Sequence, residues 1–402
     1  MDVTEHIDDS EMMIQIGNEQ GRKPYLASRF NISAMSYGSL SKTAIEALNW
    51  GAKLGGFFHN TGEGGISPYH VKHGGDLCWQ IGTGYFGCRN VDGTFNREMF
   101  KESSQQEQVK LIELKISQGA KPGHGGMLPG SKVDEEIAKI RAVEIGKDVN
   151  SPPRHSAFNG PKGLIKFIQE LRELSDGKPV GFKLCIGSKH EFFAICKAML
   201  ELKIYPDFIT VDGAEGGTGA APVEFSNSLG TPLNDGLNFV HNALIATGLR
   251  EKIIVIASGK VIDAFNTICK FSLGADINNS ARGMMFAIGC IQALRCNSNN
   301  CPAGVATQDP KLYKLVDVKD KSQRVAKYHD KTLSEVKHLL SAAGFSKVSE
   351  IKKSHIKRRI GPGQIMNYKE IYPGMEANSL LDKSYQGDWI DDWEKANSET
   401  FK

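Results

Sequence analysis

No apolar run in the 402 residues approaches the roughly 18–20 needed to cross a bilayer. The first residues, Met1-Asp2-Val3-Thr4-Glu5, are acidic and carry no basic-then-apolar leader. Charge of either sign is nearly balanced at a formal +3, so nothing global points to nucleic acid or an anionic membrane. Cysteine is sparse: eight residues, not paired by spacing, which excludes a disulfide scaffold. These absences make a reducing cytoplasm the expected compartment. With 40% hydrophobic and 24% charged residues, the chain has the composition of a soluble globular protein. Its length suits one large domain with appendages, or two domains.

Glycine is the opposite case, with 43 residues unevenly placed. It follows short apolar runs at 30–35, 57–59, 111–116, 180–186, 208–211, 253–257 and 277–281. The runs are rich in Ile, Val and Phe and continuous rather than alternating, the pattern of parallel strands buried on both faces. Helical spacing lies between them. Ser41 is a good N-cap for a helix over 41–54, with Ala44, Ile45, Leu48 and Ala52 on one face. Stretches 163–174, 192–202 and 239–247 read similarly. Strand, glycine turn and helix, repeated about eight times, predict an α/β fold: a (β/α)8 TIM barrel over 28–310. In such a barrel the turns after the strands build the active site, and glycine there lets backbone approach a ligand.

Residues 1–27 read as an N-terminal segment. Residues 66–105 break the rhythm. They are polar, rich in turn formers, and hold Tyr69, Trp79, Tyr85 and Phe86, so they predict an insertion over the barrel mouth. Within them Gly82-Thr83-Gly84-Tyr85-Phe86-Gly87 matches GxGxxG in form only; no clear helix follows, and no dinucleotide site is expected. Residues 311–402 lose the repeat and predict a helical C-terminal extension. It holds a helix over 322–343, a solvated basic face at Lys352, Lys353, Lys357, Arg358 and Arg359, and a polar end expected to be loosely ordered.

Cys290, Cys296 and Cys301 stand close together, with five and four residues between them, just after the run at 277–281. Thiolates suit zinc and iron–sulfur clusters. A structural zinc site usually takes four ligands in two close pairs, and no fourth lies nearby. Spacing alone leaves open a cluster, a zinc or redox pair, and inert thiols packed as small hydrophobes.

Several motifs then occur in one order: Ser33-Ala34-Met35-Ser36-Tyr37-Gly38, Thr61-Gly62-Glu63-Gly64-Gly65, Lys115-Ile116-Ser117-Gln118-Gly119-Ala120-Lys121-Pro122-Gly123, Gly216-Gly217-Thr218-Gly219-Ala220-Ala221-Pro222 and Cys301-Pro302-Ala303-Gly304-Val305-Ala306-Thr307-Gln308. Over about residues 28–345 the chain resembles the FMN-binding synthase domain of glutamate synthase. The resemblance implies a (β/α)8 barrel, bound FMN, and a 3Fe-4S cluster on Cys290, Cys296 and Cys301. It implies reduction of 2-iminoglutarate, made from 2-oxoglutarate and ammonia, to L-glutamate, with single electrons passing through the cluster and a hydride leaving the flavin. By the same resemblance Ala34, Met35 and Ser36 line the flavin and Gln118 faces its ring. Lys183 sets a cation where negative charge develops on reduction. Gly217 lies in a further cofactor-binding turn. Ser258, Gly259, Lys260, Arg282 and Gly283 follow the last two strands, where barrels often bind phosphate. Lys121 and Arg141 match the cations for the substrate carboxylates, and His124 is a candidate proton donor. The plain alternatives are a solvent-reaching Lys183, an exposed Arg141 and a loop-packing His124.

The chain also departs from the synthases. Where they carry Glu-Gly-Gly-Gln, it has His124-Gly125-Gly126-Met127; their Ser-Pro-Glu-Ala is Ser41-Lys42-Thr43-Ala44. A substrate-contacting glutamine and glutamate thus appear as Met127 and Thr43. These features and 150–158 are more similar to short stand-alone bacterial proteins named as FMN-binding glutamate synthase family proteins. Asp2 stands where a glutaminase domain would offer a nucleophilic cysteine, and no NAD(P) site is evident. The expected partners are a small carboxylate substrate, ammonia from solution, and ferredoxin or a separate reductase. No nucleic acid or membrane is expected, and a homo-oligomer is compatible. An FMN oxidoreductase for a different amino or hydroxy acid, and an electron-transfer subunit of a larger complex, are the alternatives.

Overall fold

In the computed structural model, which describes residues 7–17, 23–216, 221–222 and 224–402, short strands hydrogen-bond in chain order into one closed barrel. They are Phe30–Ile32 (β1), His59–Asn60 (β2), Leu77–Ile81 (β3), Val109–Lys115 (β4), Val180–Leu184 (β5), Phe208–Asp212 (β6), Ile254–Ser258 (β7) and Ile277–Ser280 (β8). All neighbouring pairs are parallel. The helices Lys42–Gly55 (α1), Arg97–Ser104 (α2), Gly160–Leu174 (α3), Lys189–Leu202 (α4), Leu233–Ala246 (α5), Ala264–Ser272 (α6) and Val318–Ala342 (α7) return the chain between them. Ser41 caps α1 as expected, accepting from the Ala44 amide.

Side chains alternate along each strand, so the barrel interior is built in layers. The lowest is apolar: Phe58, Cys78, Leu111, Phe208, Ile256 and Ile277 pack together. Gly181 on β5 leaves the space that Phe208 fills. An antiparallel hairpin, Met13–Ile16 with Tyr25–Ser28, closes this end through Ile16 and Ala27. Two residues further up each strand the lining turns polar. Glu113 is buried and accepts hydrogen bonds from Asn60 (2.8 Å), Gln80 (2.6 Å) and Thr210 (2.5 Å). A charge buried in a strand interior needs such partners. The next step up reaches Lys115 and Asp212 at the mouth.

Three expectations are corrected. Segment 66–105 is no interruption: it carries β3 and α2, one full unit of the repeat. Its strand is only Leu-Cys-Trp-Gln-Ile, flanked by turn formers, and its glutamine faces Glu113 rather than apolar neighbours. The loop after β3 is tied to the segment that follows Asn150, where Thr83 donates to the Pro152 carbonyl (2.6 Å). The expected boundary at 310 falls just before α7, which packs on α1 and α6 and completes the ring. His329 of α7 stacks on Phe57 (3.9 Å) and bonds Ser28 (2.9 Å). The end of the chain is docked rather than loose: Trp389 and Trp393 pack edge-on against Phe239 and Phe193 at 5.1 and 5.6 Å. Aromatic burial outweighs the polar composition that suggested a free tail. Among the described residues no helix is long and apolar enough to cross a membrane.

Candidate active site at the barrel mouth

The strand ends open onto a cavity of about 220 Å³. Ala34, Met35 and Ser36 line it from the loop after β1, Gln118 and Lys121 from the loop after β4, and Lys183 from β5. Ser258, Gly259 and Lys260 line it after β7, and Arg282 after β8. Gly259 holds φ +143°, a backbone that side-chain-bearing residues rarely adopt. Gly283 does not line the cavity. Its missing Cβ makes room for the Tyr328 hydroxyl, which donates to the Ile262 carbonyl, so glycine is needed there for packing. Gly217 lies outside the described residues.

Two acids hold the buried cations. The Lys183 ammonium stands 3.3 Å from Asp212. Burial works against its charge, but Asp212, Glu113 and Glu63 outweigh burial and hold its pKa above the usual lysine value. Asp212 also accepts from the Gly119 amide (2.9 Å), which ties the loop after β4 to β6. Glu63 bonds Lys115 (2.9 Å). Burial opposes its charge too, yet Lys115, Arg141 and Lys121 keep its carboxyl below the ordinary range.

Lys121 is 4% exposed, and among the described residues its ammonium has no hydrogen-bond or ion-pair partner. Burial, and then the like charge of Lys115, lower its pKa; Glu63 acts the other way. The cavity wall therefore carries a cation short of an anion. Arg141 is buried but set behind the wall: it donates to the Tyr37 carbonyl (2.9 Å) and lies over the Phe86 ring (5.2 Å). Burial brings its pKa down to about 10. His124 is exposed, edge-on to Phe225 at 4.9 Å, and does not line the cavity. Met127 does line it and is 43% exposed. Thr43 does not; its hydroxyl donates to the Tyr313 carbonyl (2.9 Å), so that position contributes nothing to the cavity.

Cys290, Cys296 and Cys301 line the same cavity. All three are free thiols. Burial, then Cys290 and Cys301, push the Cys296 thiol up, so the three sense one another. Among the described residues no set of three His, Cys, Asp or Glu stands in metal-holding geometry. Gln292, Leu294 and Asn299 all have positive φ (56°, 54° and 61°), which concentrates backbone strain in this one loop.

Sequence reasoning gave no role to Glu63, Lys115, Asp212 or Lys132. Glu63 and Lys115 sat inside quoted motifs. For Lys132, 1% exposed, no sequence signal separates a buried lysine from the solvated ones around it.

A closed parallel barrel with a charged cavity at the C-terminal strand ends defines a (β/α)8 protein with its site at the mouth. Solved structures agree on the fold. A flavocytochrome b2 variant with benzoylformate superposes at TM-score 0.51 and 11% identity, over 96% of this chain and 87% of that one. A lactate oxidase from Pediococcus acidilactici gives 0.50 and 11%, over 87% and 79%. The family described as "Conserved region in glutamate synthase" matches residues 3–346. The glutamate synthase large subunit-like protein YerD of Bacillus subtilis is 44% identical over 90% of this chain and 68% of its own length. The archaeal glutamate synthase (NADPH) of Methanocaldococcus jannaschii is 34% identical over 85% and 63%. This chain belongs to the glutamate synthase family, whose named members are oxidoreductases acting on CH–NH2 groups. It spans about two thirds of the length of these two relatives.

Proposed function

We propose that this chain is a glutamate synthase-type oxidoreductase with FMN in the mouth cavity and a 3Fe-4S cluster on Cys290, Cys296 and Cys301. Its substrate is an imino or keto dicarboxylic acid, in the first instance 2-iminoglutarate from 2-oxoglutarate and ammonia. The imine takes up two electrons and two protons to give L-glutamate, with ferredoxin or a separate reductase as electron source. The observation that carries this reading is one cavity lined by the flavin-type residues, the three cysteines and Lys121, whose ammonium has no bonded partner among the described residues. The residues fit both groups: an all-thiol donor set suits an iron–sulfur cluster, and Lys183, Lys260 and Arg282 offer cations to a flavin ring and its phosphate. When bound, the two groups supply one-electron uptake and two-electron delivery.

The chain's own residues have separate tasks. Asp212 fixes Lys183, whose charge is held on at neutral pH by its acidic neighbours. Lys121 binds a substrate carboxylate as a point charge. Arg141 braces the loops at Tyr37 and Phe86 and helps hold Glu63 ionised. As placed, His124 is given no proton-transfer role. Met127 presents an apolar side chain at the cavity, which favours a second reading: a different amino or hydroxy acid as substrate.

Replacing Lys121 with methionine removes the charge without opening a hole. A hydrogen bond to a charged group contributes about 1.5–3 kcal/mol, so substrate affinity should fall about 10- to 100-fold while FMN and cluster stay bound. Stopped-flow reoxidation of the reduced protein by 2-oxoglutarate plus ammonium measures it. An unchanged half-saturation concentration would remove Lys121 from the substrate site.

A further inference from the structure

The flavin-side loop and the cysteine loop are held together by two side chains. Lys132, on the turn Gly130–Lys132, donates to the Ser39 carbonyl (2.8 Å) and to the Cys296 carbonyl (2.6 Å). Gln308 donates to the carbonyls on either side of Ser39, at Gly38 and Leu40 (3.0 Å each). The same turn meets the cysteine loop again, where Asn299 donates to the Ser131 carbonyl (2.9 Å). Asn299 is in turn held to Gln308, whose amide donates to its side chain (2.7 Å). Three consecutive carbonyls after β1 are thus captured by residues bonded to the cysteine loop.

Lys132 is 1% exposed, and among the described residues its ammonium bonds carbonyls and no carboxylate. A buried ammonium satisfied only by neutral carbonyls is costly unless an anion is near. Burial lowers its pKa to about 8; Cys296 and Cys301 act the other way, and Arg141 adds to the lowering.

We infer that Lys132 is a positioning residue for the cluster, joining the cysteine loop to the flavin loop and supplying the positive charge beside the thiolates. This rests on the reading that Cys290, Cys296 and Cys301 carry a cluster. Two effects follow. Orienting groups behind metal ligands typically set affinity by about 10- to 100-fold. Reduction adds negative charge, so a buried neighbouring cation favours the reduced cluster, and its loss lowers the midpoint potential.

The test compares the parent with Lys132→Met and Lys132→Gln after anaerobic reconstitution with iron and sulfide. Iron per chain, the electron paramagnetic resonance signal of the oxidised cluster, its redox titration and FMN content are read together. Lys132→Met should keep FMN at the parent stoichiometry and need about tenfold more iron for the same cluster occupancy. Lys132→Gln keeps a donor but no charge. It should hold the cluster with reduction less favourable by about tenfold, or about 59 mV for one electron. If Lys132→Met does not fold, Lys132→Gln decides. Parent-like iron uptake and potential in the folded variants overturn the role of Lys132 alone. A parent chain that takes up no three-iron cluster overturns the cluster reading and this inference together.

Discussion

Serine at Cys290, Cys296 or Cys301 should leave a folded, FMN-binding protein without a three-iron cluster. Each iron of such a cluster needs its thiolate, and the hydroxyl is a much poorer ligand for it. The parent should give about one cluster per chain, and each variant essentially none by iron analysis and electron paramagnetic resonance. Turnover supported by a one-electron donor protein should fall to background, whereas protein reduced chemically at the flavin should still reduce substrate. Cys185→Ser is the control. Burial, then Asp212, push that thiol up to about 12, so it is protonated at neutral pH and packs as a small apolar group. Cys196 is likewise pushed up to about 12 by burial. A cluster that survives at all three positions would assign it to other ligands.

Acid should begin to destabilise the protein above the range where most carboxylates titrate. Burial lowers the pKa of His70, His155 and His329 to about 4 each, and that of His241 to about 3. His59, enclosed beside His70, is depressed as well. The surroundings explain why neutrality is required. The His241 Nδ1 accepts from the Arg250 guanidinium (3.0 Å), and the His329 ring stacks flat on Phe57. The sign follows from linkage. Above about pH 6.5 these rings are neutral in both states and contribute no pH dependence. Between about 6.5 and 4 the unfolded chain takes up protons that the folded chain refuses, so stability falls with pH. Each ring contributes a slope of up to about 1.4 kcal/mol per pH unit. Four acting together would remove a typical domain's 5–15 kcal/mol within about two units. Glu63, held low by Lys115, adds to the loss only below its unfolded value near 4.5. Urea midpoints at pH 7, 6 and 5 measure the slope; a flat profile would mean that these rings gain protons without unfolding.

The barrel was legible because most of its strands are short apolar runs with glycine soon after them. The strand Leu77–Ile81 was hidden because its inward residues are Cys78 and Gln80, chosen for the interior layers rather than for an apolar run. The docked tail was hidden because two tryptophans carry the contact while their neighbours are charged. At the mouth, the motifs gathered Met35, Gln118, Lys121, Lys183 and the three cysteines around one cavity. They could not show that Arg141 stands behind its wall, that His124 and Thr43 face elsewhere, or that Gly283 serves Tyr328. Those assignments depend on packing between segments far apart in sequence. The Glu63 and Asp212 anchors depend on it too: a carboxylate's role there is set by which lysine lies within about 3 Å.

The most direct test is anaerobic. The reconstituted protein is reduced until the flavin absorbance is bleached, then mixed with 2-oxoglutarate and ammonium. Recovery of the oxidised flavin spectrum, with one L-glutamate formed per flavin reoxidised, is the expected result. A flavin that stays reduced with every keto acid and ammonium tested, or a chain that binds no FMN, would contradict a glutamate synthase-type reaction at this site.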